Sequence, residues 1–169
     1  MDLKDLLAGK RSEILKMWLE IALRPYPTEA TAFLKDTRRQ FTNPVGHTIS
    51  QGLEGILDGL LQEIPIDQFH PLLDGIIRIM AVQDLPPSQA LAFMMRLKKV
   101  IREIAEREKI LAPDELLTLE SRIDLLTLIS FDIYMGCREK IYELKANESR
   151  NMTYRLLQKA KLVCEVDEQ

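Results

Sequence analysis

The chain has 169 residues, 46% of them hydrophobic and 29% charged, and a net charge of −3. That length suits one domain with a real hydrophobic core, and the acidic balance excludes general nucleic-acid affinity, which needs a basic face. No apolar run approaches the ~18 residues of a membrane span, the N-terminus lacks the basic-then-apolar order of a signal peptide, and Cys137 and Cys164 form no C-x-x-C pair, so a cytoplasmic protein with reduced thiols and no membrane insertion is expected.

Sustained period-2 alternation and hairpin dipeptides are absent, and nearly every segment reads as helix. The first helix is predicted from about Leu3 to Leu23, with Leu6, Leu7, Ile14, Met17, Trp18 and Ile21 on its apolar face. The prolines of "RPYPTEA" end it. Thr28 and Glu29 lead a second helix through "ATAFLKDTRRQF". A third is predicted from about Pro44 to Glu63, and a fourth covers "IDQFHPLLDGIIRIMAVQ", where Leu72, Leu73, Ile76, Ile77, Met80 and Ala81 keep helical spacing. "DLPPSQA" starts a fifth, to about Lys109. Pro113 and Asp114 open the last and longest.

That last helix changes along its length. Leu116, Leu119, Ile123, Leu126, Ile129, Ile133 and Cys137 form a dense stripe, then "KANESRN" offers nothing to bury. Met152, Leu156, Ala160 and Val163 resume a narrow seam, suited to a partner chain. The expected organisation is a helical domain over residues 1–146 and a projecting helical extension over 147–169. Six or seven helices joined by short breaks make a single all-α bundle.

Three features invite a functional reading. Asn43 is a good N-cap, and Pro44 fits the first helical position. Behind them Gly52, Gly55 and Gly59 lie three and four apart on one face. Each costs a helix about 0.5–1 kcal/mol, which suggests that another helix crosses there at close range, as in globin-like folds. His47, in the first turn, is a candidate haem or metal ligand. The competing reading is a polar residue bonding to nearby backbone, and there is no second ligand at metal spacing. His70, before Pro71, is a weaker candidate.

Asp132 lies inside the apolar stretch "LISFDIYMGC" and is expected to be buried or paired at the core edge. Asp74 and Arg78 are spaced for a surface ion pair. Phosphate loops, nucleophile elbows and acid–base couples are all missing, so no catalytic residue, cofactor or metal site is assigned.

Three blocks, "FTNPVGHTISQGLEGILDGLL", "LLDGIIRIMAVQDLPPSQALAFMMRLKKVIREI" and "RIDLLTLISFDIYMGCREKIYELKANE", resemble the N-terminal domain of RsbT co-antagonist proteins, the RsbRD N-terminal family. The resemblance runs from about Ile14 to Leu157. Its motif residues here are Asn43, Pro44, Gly46, His47, Arg78, Gln83, Asp84, Ser88, Asp132 and Tyr134. It implies a sensory or regulatory domain of stressosome-type signalling, a globin-like dimer without haem that normally precedes a STAS output domain. No STAS domain follows before Gln169, so the expectation is a non-enzymatic, stand-alone sensor or adaptor working through contacts with other proteins. A ligand- or haem-binding globin-like sensor using His47 is the alternative.

Overall fold

The helical periodicity of the sequence is realised throughout the computed structural model, which describes residues 2–36, 43–83 and 85–162. The α-helices are α1 (Leu3–Gly9), α2 (Arg11–Ala22), α3 (Thr28–Lys35), α4 (Pro44–Gln62), α5 (His70–Val82), α6 (Pro87–Ala90), α7 (Ala92–Arg107) and α8 (Pro113–Lys159). A short 3-10 helix, Ile66–Phe69, leads into α5. Among the described residues there is no strand, and setting aside the single-turn α6 leaves seven α-helices. The chain is all-α.

Two boundaries differ from the sequence expectation. The first predicted helix is two, because the chain leaves helical geometry at Lys10, directly after Gly9. Lys10, at φ −99° and ψ 9°, steps out of helical geometry after Gly9, a weak helix former, and its side chain does not cap α2. The fifth predicted helix is also two. Leu91 separates α6 from α7, where prolines 86 and 87 start the first turn before the buried face of α7 takes over. The second predicted helix ends at Lys35, and the rest of its predicted span, residues 37–41, lies outside the described residues.

The core is built by α5 against both α4 and α8, and by α2 against α7 and α4. Trp18 is fully buried. Its indole Nε1 donates to the Phe93 carbonyl at 2.8 Å, which ties α2 to the start of α7. Ion pairs then bolt the helices at their margins. Arg11 meets Asp58 with both oxygens, at 2.6 and 2.8 Å, joining α2 to α4. Arg102 grips Glu120 in the same two-pronged way, and Lys98 reaches Asp124 at 2.7 Å, joining α7 to α8. Glu120 is buried. Its carboxyl is held below the ordinary carboxylate range, by the Arg102 hydrogen bond first, against the opposing cost of desolvation.

Candidate functional site

The stretch from Asn43 to His47 is a joint between two helices. The Asn43 side chain is buried. Its Oδ1 accepts from the Gly46 backbone N–H at 2.9 Å and so caps α4. Its Nδ2 donates to the carbonyls of Phe33 at 2.8 Å, Leu34 at 3.2 Å and Asp36 at 3.0 Å. One amide therefore satisfies the start of α4 and the end of α3, groups that no helix can satisfy for itself. Gly46 is pressed against the same amide and against the Leu34 carbonyl, leaving no room for a Cβ. Pro44 opens α4 at its first position. His47 is half-buried in that first turn, and its backbone N–H donates to the Asn43 carbonyl at 3.1 Å. His70 is exposed at the head of α5.

Beyond the joint, the glycine face of α4 meets the α5 region. A Cβ on Gly52 would lie 2.6 Å from the Ile76 side chain, and one on Gly55 would lie 2.8 Å from the Leu72 side chain. One on Gly59 would lie 2.7–2.9 Å from Ile64 and Phe69. The missing methyl groups are occupied by α5 and the turn before it.

The far end of α5 is held by α8. The Tyr134 hydroxyl donates to the Leu85 carbonyl. Arg138 is buried, donates to the Ala81 carbonyl at 3.0 Å and to the Tyr142 hydroxyl at 2.8 Å, and lies 4.8 Å from the centre of the Tyr142 ring. The Arg138 guanidinium thus sits at the C-terminal end of α5, where a cation is favoured by the helix dipole. Sequence reasoning missed Arg138. Its only signal is its spacing, four residues beyond Tyr134 and eight beyond the buried Ser130. Arg78 pairs with Asp74 at 2.6 Å on the surface, as their spacing predicts. Gln83 and Ser88 are exposed, and Asp84 lies outside the described residues. The motif residues are therefore not gathered in one pocket: Asn43, Pro44, Gly46 and His47 lie at the start of α4 and Tyr134 holds the end of α5, while Arg78, Gln83 and Ser88 are on the surface. Because α4 and α5 run antiparallel, with Gly52 against Ile76 and Gly59 against Phe69, the two joints lie toward the same end of the pair.

Asp132 departs from expectation, because it is exposed. The stretch around it is apolar on two faces of α8, not one. Ile123, Leu126, Ser130, Tyr134 and Arg138 face the core. Leu117, Leu125, Leu128, Phe131, Met135 and Tyr142 face outward, 38–65% exposed, recurring mostly three, four and seven apart. Asp132 falls on this outer side, four residues from Leu128 and three from Met135. From Tyr142 to Leu162 every residue is exposed, Met152, Leu156 and Ala160 among them. Val163 and Cys164 lie outside the described residues. Cys137 is half-buried with a free thiol. Among the described residues no helix is long and apolar enough to cross a membrane, and no group of three His, Cys, Asp or Glu side chains is placed to hold a metal ion.

The model of the RsbT co-antagonist protein RsbRD N-terminal domain matches residues 12–149. The chain belongs to the RsbRD N-terminal domain family. The match takes in both joints and the outward stripe of α8, and leaves out α1 and the last turns of α8. Comparison with curated proteins and with solved structures finds no match. Membership brings the chain into a class of sensory N-terminal domains of the stressosome type.

Proposed function

We propose that this protein is a non-enzymatic regulatory domain of the cytoplasm that signals through protein contacts, working as a homodimer joined along α8. The observation that carries this reading is the second apolar face of α8. A helix whose inner face is already buried has no intramolecular use for Leu128, Phe131 and Met135 on the opposite side. Exposed apolar stripes of this kind mark contact surfaces, and a stripe at three-four-seven spacing fits another helix. A second copy supplies the same stripe on a twofold axis, which is the commonest closed arrangement. The exposed continuation from Tyr142, carrying Met152, Leu156 and Ala160 and continuing toward Val163, is then the segment offered to the regulatory partner. Family membership supports the sensory role. The close approach of α4 and α5 over Gly52 and Gly55 supports reading the bundle as globin-like.

Light scattering of the full chain tests the dimer. The wild type is expected to have twice the monomer mass at micromolar concentration, and Leu128→Glu with Met135→Glu is expected to give a folded monomer of unchanged circular dichroism. A monomeric wild type overturns the dimer. Truncation after Ala146 is expected to preserve the dimer and abolish capture of the partner from the native host.

A further inference from the structure

Away from both joints, α1, the end of α4 and the start of α8 enclose a half-open cleft of about 340 Å³, near the lower end of the size range of small-ligand sites. Leu3, Leu7, Leu60, Leu61 and Leu119 make its walls apolar, and Arg122 reaches its edge. Arg122 is the anomaly. Its Nη2 donates to the Ile64 carbonyl and its guanidinium lies 5.9 Å from the centre of the Phe69 ring. Its Nε is buried and has no hydrogen-bond partner. Among the described residues no carboxylate pairs with it.

Two of the three acids on the cleft are engaged elsewhere and the third lies at a helix start. Glu63 faces Lys4 at 3.6 Å, Glu115 accepts from the Leu3 backbone N–H at 3.0 Å, and Asp114 sits in the first turn of α8, where a negative charge is favoured. The cleft thus joins an apolar wall to a half-buried cation without a counter-charge. Such a cation is costly to desolvate until an anion meets it, and the terminal guanidinium N–H groups that the Ile64 carbonyl does not use can donate to a carboxylate. The acidic rim works against a dianion.

We propose that this cleft binds a small monocarboxylate with an apolar tail, the carboxylate on Arg122 and the tail along the leucine wall. The ligand would touch α1 and α8 together, and α1 lies outside the residues matched by the family model. As the input of a regulatory domain the site rests on the function proposed above; as a binding site it rests on the cleft alone.

Calorimetric titration of the full-length protein tests it, with octanoate, octanol, acetate and inorganic phosphate as probes. Octanoate is expected to bind one per chain and at least about tenfold more tightly than octanol, because only the carboxylate forms the charge-assisted bonds. Acetate and phosphate are expected to give no measurable binding. Arg122→Gln is expected to weaken octanoate by about tenfold or more and to leave octanol nearly unchanged. No octanoate binding, equal binding of octanoate and octanol, or an Arg122→Gln protein that binds octanoate like the wild type would each overturn the proposal. If Arg122→Gln does not fold, the octanoate-to-octanol ratio of the wild type decides alone. Light scattering on the same samples reads the dimer separately, so a silent titration of a dimeric protein rejects the cleft and leaves the regulatory reading standing.

Discussion

Replacing Asn43 with Ala would remove a partner from four backbone groups at once, the Gly46 N–H and the carbonyls of Phe33, Leu34 and Asp36. An N-cap alone is worth about 1 kcal/mol, and the buried Leu34 carbonyl losing its donor adds to that, so the expected loss is about 2 kcal/mol in chemical denaturation. Gly46→Ala is expected to cost about 1–3 kcal/mol for the same reason, since its Cβ would push on the Leu34 backbone carbonyl, which cannot swing aside. Gly136 is the control. It lies within α8 with nothing near its Cβ position, and Gly136→Ala is expected to stabilise by about 0.5–1 kcal/mol. If both glycine variants shift the denaturation midpoint the same way, the crowding at Gly46 is not what fixes it. The cap at Asn43 was legible in the sequence, because Asn-Pro before a helical pattern is a local signal. Its grip on α3 was not, since a reach of seven to ten residues back along the chain leaves no periodic trace. Glu120 gives a second residue-scale expectation. Its carboxyl is lowered by Arg102, so its contribution to stability is complete above the ordinary carboxylate range and is lost as pH falls through the lowered value. Melting profiles against pH should therefore show a shallower acid-side decline for Glu120→Gln than for the wild type.

Among the elements, α8 carries the most information. Its inner stripe was legible because burial repeats every three or four residues, but the apolar run "LLTLISFDIYM" mixes two stripes, and periodicity alone does not separate a core face from a contact face. That is why Asp132, between Phe131 and Ile133, reads as buried from sequence and is exposed in the structure. The break at Lys10 was hidden for a related reason: Leu6, Leu7, Ile14 and Trp18 all join one core, so the apolar pattern continues across the bend. A helix with one buried half and one bare half should not behave as one unit. Hydrogen exchange is expected to find strong protection from about Ile123 to Arg138 and fast exchange beyond Tyr142 in a monomeric Leu128→Glu, Met135→Glu variant, because local opening follows local packing. Uniform slow exchange along the whole of α8 in that variant would contradict the division.

At the scale of the whole molecule, the same division predicts how the protein melts. Trp18, the chain's one tryptophan, is fully buried and reports on the core. Far-ultraviolet circular dichroism reports on every helix, including the exposed end of α8. The dichroism signal is expected to begin falling before Trp18 fluorescence changes, because the end of α8 opens without disturbing the core. Coincident transitions would count against an exposed helix end that melts apart from the core. The all-α class was legible throughout, from periodicity and helix-start chemistry. What stayed hidden is the long-range arrangement, the Arg138 contact with the end of α5 and the Arg122 cleft, because the residues that meet lie far apart in the chain, 57 positions between Arg138 and Ala81 and 112 between Leu3 and Glu115.

The 47 residues of α8 also set a mechanical scale. At about 1.5 Å per residue, the exposed part from Tyr142 to Lys159 reaches roughly 27 Å beyond the packed part. A tilt of only about 10° at Arg138 would carry the far end sideways by about 5 Å, close to the pitch of one helical turn. The residues that anchor the fulcrum, Tyr134 and Arg138, hold the carbonyls of Leu85 and Ala81. The two anchors lie about 6 Å apart along the helix, so a shift of about 1 Å of one against the other corresponds to that tilt and is enlarged about fivefold at the tip, enough to move one row of side chains out of register with whatever rests against it.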